Sequence, residues 1–374
     1  MYIDNINELI DGGILDISKY CSSESCKKTL RINNSINEIT LTSNSIPCNI
    51  DISVEERTTD LIIKINNLSI NSNNIAFDLT KGRFCNYKVF MILSGNNTIA
   101  STSNIAICIN NNHTIEFCGS RNSSLKILGG DYSPALGNTK LCAGNAHIIF
   151  SGTGNIDIFG GRITPDTFVE ASNTLAQSAG INISHKNNDE ISSLSIKDSI
   201  NLKIKGGDSL FSSQLSDNPQ ISYGSAGIAA DYYTLIEKKS IGILDISGGS
   251  GDIGGPAILT KGAFIKIIEP SVLSSGHNNS TTNKEYSDII LFVTDETIKN
   301  IQKNKLFLSK NILINGKIST TPPYNFIAST ELNNLLNLSK NASRSKIQEI
   351  VLNESKNNST IKKLFKKIYR RLYG

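Results

Sequence analysis

The segment Leu125-Lys-Ile-Leu-Gly-Gly130 decides the fold. Its pattern, two apolar residues at alternate positions followed by a glycine pair, occurs three more times along the chain. The further copies are Ile156-Asp-Ile-Phe-Gly-Gly161, Leu202-Lys-Ile-Lys-Gly-Gly207 and Leu244-Asp-Ile-Ser-Gly-Gly249. Such alternation is typical of a strand with one buried face, and a glycine pair can adopt the positive φ of a corner. Each copy predicts a short strand followed by a repeat corner, at Gly129, Gly130, Gly160, Gly161, Gly206, Gly207, Gly248 and Gly249.

A second element, a small or polar residue followed by alanine and apolar residues, recurs out of phase with the glycine pairs. Successive alanines are 30, 29, 44, 47 and 31 residues apart, which indicates stacked repeats with loops inserted in the two longer units. A third apolar stretch, such as Thr114-Ile-Glu-Phe-Cys118, lies between the two elements in most units. We expect the alanines to form the repeat core at a tight interior corner: Ala76, Ala106, Ala135, Ala179, Ala226 and Ala257.

Three short strands in each unit predict an all-β fold, a right-handed parallel β-helix (solenoid) with about six coils of about 30 residues. Stacking would bury the apolar face of each coil and pair its backbone groups with the coils above and below. The right hand follows from the chirality of parallel crossover connections. A β-sandwich of antiparallel strands is the alternative, but it would not require both phases to recur in every unit.

The segments Asn66-Asn-Leu-Ser-Ile70, Leu93-Ser-Gly-Asn-Asn-Thr-Ile-Ala100, Ser124-Leu-Lys-Ile-Leu-Gly-Gly130 and Ser178-Ala-Gly-Ile181 share one character, glycine-rich or asparagine-rich corners beside short apolar strands. They resemble the glycine-rich, right-handed β-helix repeats of bacterial surface proteins, some of which are labelled carbohydrate-binding. The resemblance covers roughly residues 60 to 270 and implies an architecture rather than an activity. Lyases, hydrolases, phage tailspikes, adhesins and inert scaffolds all occur on β-helices.

The chain divides into four predicted segments. Residues 1–60 are expected to form an N-terminal cap with cysteines and an incomplete coil, and residues 61–270 the parallel β-helix, because a solenoid must cover the apolar ends of its stack. Residues 271–330 mix loop-rich and strand-like stretches and predict a C-terminal β cap or appendage. Residues 331–374 predict a helical basic tail.

The basic tail carries its apolar residues at helical spacing on one stripe between Ser359 and Leu372, with cationic residues opposite. From Lys340 onward ten Lys or Arg face two Glu, a charge of +8, so the rest of the +4 chain carries −4. This split argues against a uniform basic surface, and no nucleic-acid partner is expected. We expect the helix to contact an anionic surface or to dock on the solenoid end, with the basic residues Lys362, Lys363, Lys366, Lys367, Arg370 and Arg371.

All seven cysteines lie within the first 142 residues, and they lack the spacing typical of a zinc site. Cys21 and Cys26 lie in a polar stretch, so a role as buried core residues does not explain their presence. We therefore expect disulfides at the N-terminal end, some of them between subunits, with Cys21, Cys26 and Cys48 as candidate cross-linking residues. No metal and no cofactor is predicted.

No catalytic residue is predicted from the sequence. The acidic and basic motifs of polygalacturonase-like proteins are absent, the four histidines are scattered, and no serine stands in a nucleophile elbow. Asp157 and Asp245 share a strand phase with Lys126 and Lys203, which predicts a solvated outer face. An enzyme is the less favoured hypothesis, and it would be a polysaccharide lyase or glycoside hydrolase whose acids converge across coils.

These patterns favour a non-enzymatic structural or adhesive surface protein, at the cell or spore surface, that self-associates through its N-terminal cysteines. Residues 1–13 lack the basic and apolar regions of a secretory signal, and no apolar run has the length of a membrane-spanning helix. Export by another route, or none, is expected. The alternatives are a carbohydrate-binding module, whose partner would be a glycan, and a polysaccharide lyase or hydrolase. A phage tailspike, which would form a trimer, is a further alternative.

Overall fold

The structure of the protein is a computed structural model that describes most of the chain up to residue 260 and short strands beyond it. The described residues are 9–21, 28–81, 87–139, 144–163, 176–183, 192–209, 224–230, 234–238, 240, 242–251, 255, 257–260, 264–267, 272–275, 289–291, 312–314 and 317–319. The basic tail and Cys26 lie outside them, as do most residues of the predicted C-terminal cap.

The described chain is mostly β and forms three sheets, which confirms the predicted all-β class with parallel strands. Sheet A has nine strands: β1 (Ile14–Asp16), β3 (Glu38–Thr42), β5 (Leu61–Asn66), β8 (Lys88–Ser94), β11 (His113–Gly119), β14 (Ala146–Gly152), β17 (Ser192–Ile196), β20 (Thr234–Lys238) and β23 (Phe264–Ile267). Sheet B has eleven strands: β2 (Lys28–Ile32), β4 (Ile50–Val54), β7 (Phe77–Leu79), β10 (Ile107–Ile109), β13 (Leu136–Gly137), β16 (Ile181–Ile183), β19 (Ile228–Ala230), β22 (Ile258–Thr260), β25 (Ile289–Leu291), β26 (Ile312–Ile314) and β27 (Lys317–Ser319). Sheet C has seven strands: β6 (Ser69–Ser72), β9 (Asn96–Ser101), β12 (Ser124–Leu128), β15 (Asn155–Phe159), β18 (Asn201–Lys205), β21 (Leu244–Ser247) and β24 (Val272–Ser275).

The chain visits sheets A, C and B in turn, and we call each such set of strands a rung. Nine rungs follow from the nine strands of sheet A, and rungs 3 to 9 contribute a strand to all three sheets. In rung 1 a short 3-10 helix, Ile17–Tyr20, stands between β1 and β2, and in rung 2 an isolated bridge from Cys48 to Ile70 takes the place of the sheet C strand. Parallel pairing thus begins at Ile14, well before the predicted boundary at residue 61.

Inward side chains stack on their counterparts in the next rung, which builds one continuous core. In sheet C a single column contains Ile70, Ile99, Ile127, Ile158, Ile204 and Ile246. In sheet A the aromatic rings of Phe117 and Phe150 stack with centroids 5.2 Å apart. Because each short strand buries only two or three side chains, the core gains its volume by repetition along the stack.

The six alanines precede successive strands of sheet B and are fully buried. The carbonyl oxygen of each accepts a backbone hydrogen bond from the rung before it, for example Ile107 N to Ala135 O at 3.0 Å. A larger side chain at this corner would have to displace the neighbouring rung, because protein interiors are close-packed.

The glycine pairs end the sheet C strands, but the structural reason differs from the prediction. None of the eight adopts a positive φ. Instead the rungs approach so closely that a Cβ at Gly161 would overlap the carbonyl oxygen of Gly130, and one at Gly207 would overlap that of Gly161. The expectation of positive φ was therefore wrong, and the absence of a side chain is what these positions require.

Candidate functional site

The outer face of sheet B changes character along the stack. In β4 and β7 the outward residues Asp51, Ser53 and Asp78 are partly exposed. From rung 4 onward the outward positions Cys108 and Asn182 are buried. The exposed part of this face over rungs 1 to 3 forms the floor of an open groove.

This groove, the sheet B groove, has a volume of about 800 Å³. That size lies within the range of small-ligand sites in proteins, roughly 300–1,000 Å³. Eleven of its thirteen lining residues are polar or charged: Thr29, Arg31, Asn34, Asp51, Ser53, Glu55, Glu56, Asn74, Asp78, Lys81 and Asn104, together with the apolar Ile52 and Ile75. Four carboxylates face two cations, Arg31 and Lys81, so the lining carries two more negative than positive charges.

Hydrogen bonds within the chain hold the two aspartates of the floor in place. Asp51 accepts from the hydroxyl of Ser72, and its Oδ2 accepts from Asn74 Nδ2 at 3.4 Å. Asp78 Oδ1 accepts from the backbone N–H and the hydroxyl of Thr80, at 2.9 and 2.6 Å. The carboxylates are thus positioned before any ligand arrives, which lowers the entropy cost of binding.

A buried arginine fixes the chain just after the two glutamates of the groove. Arg57 is 1% exposed, and its guanidinium donates to the carbonyl oxygens of Thr59 at 2.7 Å and Ile36 at 2.8 Å. Burial lowers its pKa, but an arginine remains charged under any ordinary condition. Glu55 and Glu56, which line the groove, directly precede Arg57 in the chain. The hydrogen bonds of Arg57 therefore hold this wall of the groove in position.

The groove is suited to a polar ligand that carries many hydroxyl groups. Carboxylates and amide oxygens accept hydrogen bonds, whereas Arg31, Lys81 and the asparagine amides donate them. Among its described lining residues only Ile52 and Ile75 are apolar, and none is aromatic. Binding would therefore depend on hydrogen bonds rather than on ring stacking.

A second polar cluster connects three neighbouring rungs on the outside of sheet A. The two ring nitrogens of His147 lie 2.9 Å from the hydroxyl oxygen of Ser193 and 2.8 Å from the Oδ1 of Asn112. His147 and Ser193 are register partners in β14 and β17. The cluster therefore has the composition of a serine, a base and an orienting residue, although the sequence does not place these residues in any known motif.

The environment of His147 argues against a catalytic role for this cluster. Burial lowers the pKa of the imidazole to about 4. A general base works best with a pKa near the operating pH, so this ring is a poor proton acceptor at neutral pH. Its two hydrogen bonds instead tie rungs 5, 6 and 7 together.

The N-terminal cysteines form a link within the chain. Cys21, directly after the 3-10 helix of rung 1, is bonded to Cys48 of rung 2. The predicted disulfide at this end is confirmed, and its two cysteines are not available to a second subunit in this state. That any disulfide joins subunits stays a prediction.

The prediction of glycine and alanine repeat positions did not identify the groove, and none of Arg31, Asp51 and Asp78 was predicted as a site residue. The available signal was the alternation in Ile50-Asp-Ile-Ser-Val54, which places Asp51 and Ser53 on the outward face. Neither the repeat alanines nor the glycine pairs line the groove. They position it through the stacking of the rungs.

Three general findings complete the description of the site. Among the described residues, no group of three or more His, Cys, Asp or Glu side chains could hold a metal ion. Within the same part of the chain, no helix has the length and apolarity needed to cross a membrane. Comparison with protein-family models, curated proteins and solved structures gave no match.

Proposed function

We propose that the protein is a non-enzymatic adhesive protein of a bacterial cell or spore surface that binds a glycan in the sheet B groove. The observation that carries the proposal is the groove itself, an open site on a repetitive scaffold that is lined mostly by polar and charged residues, with both aspartates of its floor held by hydrogen bonds. Hydroxyl-rich chains match such a lining because each sugar offers donors and acceptors to side chains of both kinds.

The proposed scaffold is a right-handed parallel β-helix of the type found in glycine-rich bacterial surface proteins. The order of the strands supports it, because the chain returns to the same three sheets in the same sequence and pairs in parallel at each return. The right hand rests on the chirality preference of parallel crossover connections.

The charge of the groove narrows the class of glycan. With Asp51, Glu55, Glu56 and Asp78 against Arg31 and Lys81, a polyanionic sugar chain would be repelled. We therefore propose a neutral or amino-bearing glycan. Because the contacts are polar and solvent-exposed, a single groove would bind weakly, and adhesion would depend on many copies acting together.

The test is a glycan array probed with the full-length protein at physiological salt, with neutral, amino-bearing and acidic glycans represented. Asp51→Ala should weaken binding of the best ligand about tenfold, which corresponds to about 1.4 kcal/mol. Asp131→Ala is the matched control, because it removes an exposed aspartate that lies outside the groove lining and outside the strands of sheet C. Equal effects of the two variants, or binding only to acidic glycans, would contradict the proposed site.

Two alternatives have their own readouts in the same samples. Release of reducing or unsaturated sugar during incubation, lost in Asp51→Ala, would identify a hydrolase or lyase instead of an adhesin.

Cross-linking between subunits is proposed for cysteines other than the bonded pair, with Cys26 as the predicted residue. Non-reducing electrophoresis of Cys26→Ser that still shows covalent oligomers would contradict that assignment.

A further inference from the structure

The outer face of sheet C carries a single column of alternating charge. Strand register aligns Lys126 with Asp157, Asp157 with Lys203, and Lys203 with Asp245, on β12, β15, β18 and β21. The shared phase predicted from the sequence is therefore confirmed. Neighbouring strands are about 4.8 Å apart, so the four side chains form a straight line of alternating sign about 14 Å long.

These four charged side chains are directed outward. Lys126 and Lys203 are exposed, and Asp157 and Asp245 are partly exposed. Among the described residues no ion pair within 4 Å involves any of the four, although pairs form elsewhere on the molecule.

Apolar side chains flank the charged column on the same face. Phe159 and Leu128 stand at the C-terminal ends of their strands and are partly buried, and the Nζ of Lys126 lies 5.5 Å from the centre of the Phe159 ring. Ile243, just before β21, is 53% exposed. A partner surface docked on this face would therefore gain both charge pairing along the column and burial of the apolar side chains beside it.

We propose that this face binds a second copy of the same chain, sheet C against sheet C, about a two-fold axis parallel to the strands. The axis passes between β15 and β18. It reverses the order of the rungs in the second copy, so that the charged column of one copy lies opposite the charged column of the other. Lys126 then faces Asp245 of the other copy, and Asp157 faces Lys203. An alternating column with an even number of charges is complementary to its own reverse, so all four contacts across this axis are attractive.

The same geometry excludes the other symmetric arrangement. A two-fold axis along the stack would keep the order of the rungs and place lysine against lysine and aspartate against aspartate. Like charges brought together at an interface repel each other and disfavour that arrangement. The column therefore selects both the partner and its orientation.

The size of the face predicts a weak and salt-sensitive dimer. The axis pairs six of the seven strands and leaves β6 without a partner, so strands about 4.8 Å apart and about five residues long overlap over about 29 by 17 Å, or about 490 Å² on each partner. A stable interface buries about 800 Å² on each partner, so association in the micromolar range or weaker is expected. Salt should weaken it, since exposed charges are screened over about 8 Å at physiological ionic strength. Weak pairing of this kind would raise the avidity of two sheet B grooves for one glycan layer.

The test uses two variants of opposite charge. Lys126→Asp with Lys203→Asp makes the column wholly acidic, and Asp157→Lys with Asp245→Lys makes it wholly basic. In sedimentation velocity at low salt, each variant alone should have a dimer dissociation constant at least about tenfold above wild type, whereas an equimolar mixture should form the heterodimer. The control Lys19→Asp with Arg121→Asp makes the same change in net charge at exposed residues off this face and should associate as wild type.

The inference rests on the self-association part of the proposed function and is separable from the glycan and the cysteines. Circular dichroism of each variant checks that the sheets are intact. A wild type that remains monomeric at several hundred micromolar and low salt, or variants that associate alone, would overturn it. Association that survives denaturing, non-reducing electrophoresis would assign self-association to disulfides instead. Glycan binding by a monomeric protein would leave the groove proposal intact.

Discussion

The disulfide between the first two rungs gives the sharpest prediction for stability. Cys21 and Cys48 are separated by 27 residues in sequence. In the chain-entropy treatment of cross-links, a closed loop of that length stabilises the folded state by about 3.5 kcal/mol at 25 °C. The double variant Cys21→Ala with Cys48→Ala should lose about that amount. A further loss of about 1 kcal/mol is expected because Cys48 is fully buried in the column that continues with Ile70.

The loss should be local to the N-terminal end of the stack. In a repetitive fold each unit contacts only its neighbours, so a terminal rung can open without the rest. Hydrogen–deuterium exchange of peptides from β1 to β4 should accelerate in the double variant, while peptides from β11 to β15 keep their protection. Urea unfolding followed by circular dichroism should show an early transition that wild type lacks.

Cys118→Ala is the control for the disulfide experiment, because Cys118 is a partly exposed free thiol in rung 5. It should unfold as wild type does. A non-reducing peptide map of wild type should contain the pair that joins Cys21 to Cys48. A double variant with unchanged exchange in β1 to β4, or a map that joins Cys21 to Cys26, would refute the reasoning.

Three further predictions concern single positions in the stack. Gly161→Ala places a Cβ against the backbone carbonyl of Gly130 and should cost about 2–3 kcal/mol in urea unfolding. Gly12→Ala should cost less, about 1 kcal/mol, because its Cβ would meet nothing within 4 Å and only the strain of its positive φ of 76° remains. The pKa of His147 is lowered by burial to about 4, so the unfolded chain binds more protons below about pH 6.5. Stability should therefore fall from pH 6.5 to about 4 in wild type and fall less in His147→Gln, whereas parallel profiles would contradict this cause. Burial alone would raise the pKa of Asp208, but hydrogen bonds from Lys205 and Ser250 outweigh it and lower the pKa below 3.8. Asp208→Asn should cost about 1 kcal/mol at pH 7, and the difference from wild type should shrink as the pH falls below about 4, because the unfolded chain then takes up the proton before the folded one does.

The sequence predicted the repeated parts of the fold because each repeat needs the same side-chain property at the same place. The sheet C isoleucine column and the alanine corner follow directly from the spacing of the motifs. The glycine pairs were located correctly but explained wrongly, because close approach between rungs is a property of the stack and not of one strand.

The first two rungs and the groove could not be predicted in the same way. Rungs 1 and 2 lack a sheet C strand, whose place is taken by the 3-10 helix and the Cys48 bridge, and the recurring alanine is first present at Ala76 in rung 3, so the sequence repeat does not reveal them. The groove depends on which outward residues of sheet B remain exposed, and that depends on contacts far apart in sequence. Arg31 and Asp78, for example, are brought to one face only by the pairing of β2, β4 and β7.

The most direct test of the account is hydrogen–deuterium exchange of the full-length protein with and without the best ligand from the glycan array. The account predicts added protection in the segments that line the sheet B groove, residues 29–34, 51–56 and 74–81, and unchanged exchange on the outer face of sheet C. Protection confined to other segments, or the absence of any bound glycan, would contradict the proposal that this solenoid-like protein is an adhesin with its binding site in the groove.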